Sequence, residues 1–204
     1  MKNIISIFIF TICSFTVFGQ LQFGVKGGFN LSDLVVKSTE IDETNLKIGL
    51  TAGAFARIPI SEWLVLQPEM LYTTKGSKYK YDETTVKANA SYLDIPVLAS
   101  IQVFGTPVSI NLGPQFSILT NAKYKYSSPI FANETVIDDD RNSFNEWDLG
   151  GAAGIAVTLD KIQFEFRATR GIRKVENDRI ILNQTITARD TKNFGLQLTA
   201  GLIF

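Results

Sequence analysis

The chain has no histidine, and cysteine occurs once, at position 13 in an apolar N-terminal stretch. The absence of histidine excludes Ser-His hydrolysis, histidine general-base catalysis and metal sites with histidine ligands. If the N-terminal stretch is removed on export, the mature chain also lacks a thiolate nucleophile, a disulfide and a cysteine metal site. We therefore expect a protein that is not an enzyme and that has no cofactor and no metal site.

Neither sign of charge is in excess. Lysine and arginine together number 20, aspartate and glutamate also number 20, and the formal net charge at pH 7 is zero. Proteins that bind nucleic acid carry a basic patch that neutralises phosphates. The even balance therefore argues against a nucleic-acid partner.

The chain has few long apolar runs, and the main one covers residues 4–18. This run is shorter than the roughly 20 apolar residues of a membrane-spanning helix. With a lysine before it and the small residue Gly19 after it, the run is typical of a secretory signal. We predict a signal peptide at 1–19 and one mature domain at 20–204. The alternative is a lipoprotein modified at Cys13, which the bulky residue before that cysteine disfavours.

The last segment of the chain alternates strictly between apolar and polar residues. A period of two indicates a strand with one apolar and one polar face, and Ile203 is the only apolar residue on the polar face. The apolar face consists of Phe194, Leu196, Leu198, Ala200, Leu202 and Phe204. Such a strand suits the closure of a membrane barrel, with lipid on one side and the lumen on the other.

The same alternation occurs in seven earlier segments, which predicts eight antiparallel strands. The connections between them are long and short in turn, as in barrels with short periplasmic turns and long outer loops. Because strands survive in lipid only as a closed sheet, we predict an all-β, eight-stranded, up-and-down transmembrane β-barrel. The predicted strands cover residues 21–31, 48–58, 63–74, 91–103, 108–120, 146–159, 162–169 and 193–204, and the predicted outer loops cover 32–47, 75–89, 121–145 and 170–190.

The polar faces of these strands collect seven charged residues. An eight-stranded barrel has an interior just wide enough for side chains, and a lone buried charge is very unfavourable. The sequence therefore predicts a structural network of ion pairs that fills the lumen, and the alternatives are an ion path or a carboxylate pair in acid–base chemistry. The bases are Lys26, Arg57 and Arg167, and the acids are Glu69, Asp94, Asp148 and Glu165.

Several segments, in this order and spacing, resemble the outer-membrane β-barrel family of Bacteroidetes known as PorT-like. They are Gly24–Ser32, Leu66–Tyr72 with Lys75 and Gly76, Tyr92–Leu98, Asn111–Pro114, Asp148–Gly150 with Gly154, and the terminal strand. The resemblance implies an eight-stranded barrel in the outer membrane of a Gram-negative bacterium. The member that gives the family its name is linked to protein secretion and gliding.

The resemblance also gives a role to the terminal strand. In outer-membrane barrels, the terminal aromatic residue and the apolar positions before it are read by the barrel-assembly machinery. The resemblance implies that Phe204, Leu202 and Ala200 form this assembly signal.

We expect a non-enzymatic integral membrane protein whose outer loops carry a structural or interaction role. Its expected partners are outer-membrane lipid, the assembly machinery during insertion, and a protein bound by the outer loops. The alternatives are a small-solute pore and a soluble ligand-binding β-barrel. In a soluble barrel the apolar faces of the strands would point inward and the charged faces outward.

The first prediction concerns location and fold. The protein should be recovered in the outer-membrane fraction and should migrate faster on a detergent gel before boiling than after, because a closed barrel stays compact until heated. Recovery as a soluble protein with no heat-dependent shift would favour the soluble barrel.

Overall fold

The structure, a computed structural model, describes residues 21–36, 44–81, 84–127, 135–138, 145–173, 179–181, 184–186 and 191–204. The predicted signal peptide at 1–19, with Cys13, lies outside the described residues, as do parts of all four predicted outer loops.

The described residues form eleven strands. They are β1 (Gln22–Val36), β2 (Thr44–Pro59), β3 (Leu64–Tyr81), β4 (Thr84–Gln102), β5 (Val108–Ser127), β6 (Thr135–Asp138), β7 (Trp147–Leu159), β8 (Ile162–Gly171), β9 (Arg179–Ile181), β10 (Gln184–Ile186) and β11 (Thr191–Ile203). In this part of the chain, no helix has the length and apolar character needed to cross a membrane.

Eight of these strands close into an antiparallel barrel in the order β1-β2-β3-β4-β5-β7-β8-β11. The ring closes where β11 pairs with β1, from Gly24 opposite Ile203 to Val36 opposite Thr191. β6 continues the sheet beside the far end of β5, and β9 and β10 form a separate hairpin. The predicted eight-stranded antiparallel barrel is confirmed.

The outer surface of the barrel is apolar. One row of large side chains passes through paired positions on six neighbouring strands, and every member is well exposed, with Phe29 61% exposed. The row consists of Leu50, Phe29, Leu198, Phe166, Ile155 and Ile110. So much exposed apolar surface is unusual in a soluble monomer and matches the lipid-facing band of a membrane barrel.

The inner surface is mainly polar, but it includes apolar side chains near the turns at 60–63, 103–107 and 160–161, which we call the short-turn end. There Ile203 and Phe55 are buried at 4% and 3% exposure. Ile203 therefore breaks the polar pattern of its strand because it fills the lumen, where Gly24 is its direct partner on β1.

At the opposite end, which we call the long-connection end, the strands run farther than predicted. The loop predicted at 75–89 is wrong, because β3 continues to Tyr81 and β4 begins at Thr84. β1, β2 and β5 also extend into their predicted loops, while β6, β9 and β10 form within two of them. The segment 75–89 is rich in charge and therefore predicts a loop, although Tyr79 and Tyr81 alternate with Lys78 and Lys80.

Several inward-facing glycines lie where strands approach closely. A Cβ atom at Gly53 would lie 2.0 Å from the carbonyl oxygen of Met70 on β3. A strand glycine often marks such an approach of neighbouring backbone. Gly27 on β1, which faces outward, is different, because a Cβ there would lie 3.7 Å from its nearest neighbour, an ordinary contact.

This difference predicts that Gly53→Ala lowers the free energy of unfolding by about 1–3 kcal/mol, because the added methyl group forces backbone apart. The matched control Gly27→Ala should change it by less than about 0.5 kcal/mol. Urea unfolding in lipid vesicles, followed by tryptophan fluorescence, measures both. Equal midpoints for the two variants would contradict the close approach at Gly53.

Candidate functional site in the barrel lumen

The centre of the lumen holds two acids and two bases in mutual contact. Lys26 Nζ lies 2.7 Å from Glu69 Oε1 and 2.8 Å from Glu165 Oε2. Arg167 Nη1 lies 2.8 Å from Glu69 Oε2, and its Nη2 lies 2.7 Å from Glu165 Oε2. We call these four residues the charge cluster. All four side chains are nearly inaccessible, and their charges cancel.

The cluster spans the full width of the barrel. Glu69 lies on β3 and Arg167 on β8, and these strands are four places apart in a ring of eight, on opposite sides of the lumen. Arg167 Nη2 also donates to Glu69 Oε1 at 2.8 Å, so the two side chains join through two parallel contacts. A second bridge between the same strands runs from Gln163 Nε2 to Gln67 Oε1 at 3.5 Å.

The neighbours of the two bases leave room for their long side chains. The direct strand partners of Lys26 are Gly53 on β2 and Gly201 on β11. One direct partner of Arg167 is Gly154 on β7. Small residues beside these bases let them extend into the lumen rather than press against a neighbouring side chain.

Two amides complete the coordination of the acids. Asn111 Nδ2 donates to Glu165 Oε1 at 2.8 Å, and Gln67 Nε2 donates to Glu69 Oε1 at 2.6 Å. All four carboxylate oxygens of the cluster therefore accept from a neighbour. This satisfies the requirement that buried charges be paired and hydrogen-bonded. Neither acid is left free to exchange a proton with a substrate.

A second polar group lies closer to the long-connection end. Lys75 Nζ lies 2.9 Å from Asp94 Oδ1 and 4.7 Å from the centre of the Tyr92 ring. Asp148 instead accepts from Asn193 Nδ2 at 2.9 Å and from the backbone N–H of Arg173 at 3.2 Å.

The predicted lumen residues therefore separate into three places. Lys26, Glu69, Glu165 and Arg167 come together, whereas Asp94 and Asp148 lie in the second polar group. Arg57 lies alone near the short-turn end of β2, with no ion-pair partner among the described residues and with its Nε unpaired.

Lys75 is a charged lumen residue that the sequence does not predict, because the charge-rich segment 75–89 indicates an outer loop. It is 6% exposed and pairs with Asp94. Its spacing alone could have predicted that it faces the lumen, because Lys75 follows Glu69, Leu71 and Thr73 at intervals of two residues, and these three side chains point inward.

Of the residues of the proposed assembly signal, Ala200 and Leu202 lie on the outward face of β11, and Phe204 follows the end of this strand. Phe204 is 69% exposed, and Leu202 and Ala200 are also exposed. The strand is held at its end by hydrogen bonds from Phe204 N to Phe23 O and from Ile203 N to Lys161 O, at 2.8 and 2.7 Å.

The described part of the chain holds no group of three or more histidine, cysteine, aspartate or glutamate residues arranged to bind a metal. Within these residues, the acids of the lumen are engaged by bases, amides or backbone N–H groups instead.

Comparison with known proteins gives a family and a fold. The sequence model of the family described as "Outer membrane protein beta-barrel domain" matches residues 14–177. No curated protein matches the chain.

The solved structures that are similar to the barrel include two bacterial surface proteins. One is Ail, the attachment invasion locus protein of Yersinia pestis, in a complex with the heparin analogue sucrose octasulfate. It is 15% identical, with 91% of this chain and 100% of that chain covered and a TM-score of 0.51. The other is Neisserial surface protein A, 13% identical, with 88% and 96% covered and a TM-score of 0.53. At these identities the likeness shows the fold.

The geometry of the charge cluster predicts that Arg167→Met lowers the free energy of unfolding by about 3–5 kcal/mol, because two buried carboxylates lose their shared partner. The matched control is Lys161→Met, which removes an exposed base from the turn before the same strand. Urea unfolding in lipid vesicles measures both.

Replacing the whole cluster tests the cause of that loss. The quadruple variant with Lys26→Met, Glu69→Gln, Glu165→Gln and Arg167→Met leaves no unpaired charge, so it should be more stable than Arg167→Met alone. A single variant as stable as the Lys161→Met control would contradict the role of the pairs.

Proposed function

Because the chain belongs to the outer membrane protein β-barrel domain family, we propose that it acts as a closed, non-enzymatic barrel in the outer membrane of a Gram-negative bacterium. Its lumen is a structural plug, and its role is exerted by the connections at the long-connection end. Export by the signal peptide at 1–19 and insertion through the assembly signal at Phe204, Leu202 and Ala200 are parts of the same proposal.

The bridge from Arg167 to Glu69 carries this proposal. It joins opposite walls of the lumen with two contacts of 2.8 Å, and Lys26 and Glu165 lie against it. An eight-stranded barrel has an interior that side chains can fill completely. A lumen filled at its centre in this way favours a plug over a solute pore.

The engagement of the acids supports a non-enzymatic role. A general acid or base needs a proton-exchanging group within reach of a substrate. Glu69 and Glu165 are buried and saturated with donors, and Asp94 and Asp148 each have a donor of their own. This arrangement supports a structural task for all four acids.

The connections at the long-connection end are the remaining surface for a specific role. Binding residues are concentrated on loops that a rigid scaffold positions, and the closed ring is such a scaffold. The extension of β3, β4 and β5 toward this end provides a raised platform for a protein partner. The motifs shared with PorT-like barrels support a narrower proposal, a link to secretion or to the cell surface in Bacteroidetes.

Conductance across a planar bilayer tests the closed lumen. The unaltered protein should give no steady conductance, whereas the charge-neutral double variant Glu69→Ala with Arg167→Ala should open a measurable path, because both halves of the bridge are removed. Lys161→Ala, at an exposed turn, is the control and should stay closed.

Each variant must first show the heat-dependent gel shift of a folded barrel. A steady conductance of the unaltered protein equal to that of the double variant would contradict the plug and favour the small-solute pore.

A further inference from the structure

The outer wall of the barrel carries a groove among its lipid-facing residues. It lies across β7, β8 and β11 and has a volume of about 520 Å³, which is within the range of small-molecule sites. Its floor is made of three small residues, Gly151, Ala153 and Ala168. Ala153 and Ala168 are direct partners, so the floor stays low across two strands.

Larger side chains bound the groove. Toward the short-turn end, Ile155 and Phe166 are direct partners and are 56% and 53% exposed, so together they form a ridge. Phe194 lines the side formed by β11. The result is an apolar trough that runs along the wall and is open to lipid.

A base lines the other end of this trough. Arg170 is exposed, and its direct strand partners are Gly151 on β7 and Phe194 on β11. The side chain of Arg170 makes no ion pair or hydrogen bond with any described residue.

The position of Arg170 makes this lack of a partner unfavourable. Ile172 lies two residues farther toward the long-connection end and is an exposed apolar residue at 65%. Along this segment, exposed apolar residues therefore lie on both sides of Arg170, at Phe166 and at Ile172. A charge on the lipid-facing side destabilises a barrel in a depth-dependent way, and an anion at the guanidinium would offset that effect.

We propose that this groove binds one anionic membrane lipid. Its phosphate pairs with the guanidinium of Arg170, whose planar fork suits bidentate contact with phosphate oxygens. One acyl chain lies along the floor formed by Gly151, Ala153 and Ala168. The positive charge at one end and the apolar trough at the other match the two parts of such a lipid.

The outer wall also carries a second run of small residues, which has no base comparable to Arg170 beside it. Gly27, Ala52 and Ala200 are direct partners on three neighbouring strands. On one side Ala52 pairs with Tyr72, and on the other side Ala200 pairs with Phe164. The residues that flank this run on the neighbouring strands are therefore uncharged. We assign no lipid to it, and it supplies a matched control.

Native mass spectrometry of the full chain in detergent tests the proposal. The protein is titrated with phosphatidylglycerol, with diacylglycerol of the same chains, and with inorganic phosphate. We expect one bound phosphatidylglycerol with about tenfold preference over diacylglycerol, because only the former offers a charge-assisted contact.

Three variants separate the two parts of the site. Arg170→Gln should remove the preference for the charged lipid. Ala153→Phe should weaken the binding of both lipids, because the added ring fills the trough. Ala52→Phe, in the uncharged run, should behave as the unaltered protein. All three variants replace outward-facing residues, and the heat-dependent gel shift verifies that each is folded.

Three results would overturn the proposal. The first is an unchanged preference in Arg170→Gln, and the second is binding of inorganic phosphate as tight as that of the lipid. The third is a dimer of the unaltered protein that Ala153→Phe dissociates, since a second copy would then cover the groove.

Discussion

Backbone hydrogen bonding between the first and last barrel strands is the constraint on which the rest of the structure depends. In lipid, each unpaired N–H or C=O group is strongly unfavourable, so a sheet is stable there only when it has no free edge. The pairing of β11 with β1 along its full length removes that edge. Closure then separates the side chains by position alone, because alternate residues of every strand point outward and inward.

Closure at eight strands makes the lumen narrow enough for side chains to bridge it. Arg167 reaches Glu69 on the opposite wall, and Lys26 and Glu165 fill the space beside this bridge. Burying such pairs gives little net stabilisation compared with apolar packing, but leaving one member unpaired is very unfavourable. The cluster therefore joins side chains of β1, β3 and β8, which are not neighbours in the sheet, and it occupies the centre of any path for solutes.

The charged side chains of the inner wall and of the outer wall differ in whether they have partners within the chain. Inside, the central acids meet bases or amides of the chain itself, and the barrel is neutral at its centre. Outside, Arg170 lies on an apolar wall with no partner among the described residues. The charges at the centre of the lumen are balanced by the fold, whereas for Arg170 on the lipid-facing wall we propose a partner from the membrane. This contrast is why the groove beside Arg170 is assigned a lipid.

Local alternation in the sequence was enough to predict the barrel, its strand number and the inward direction of Lys26, Glu69, Glu165 and Arg167. The prediction failed for Lys75, because the ends of β3 and β4 are rich in charge, and charge-rich segments of this kind are typical of loops.

Only the tertiary structure decided which charges meet, that Arg57 stands apart, and that small residues of two strands align beneath Arg170. The physical reason is that alternation follows from the geometry of a single strand. Contacts across the lumen and along the wall instead depend on register and closure among strands far apart in the chain.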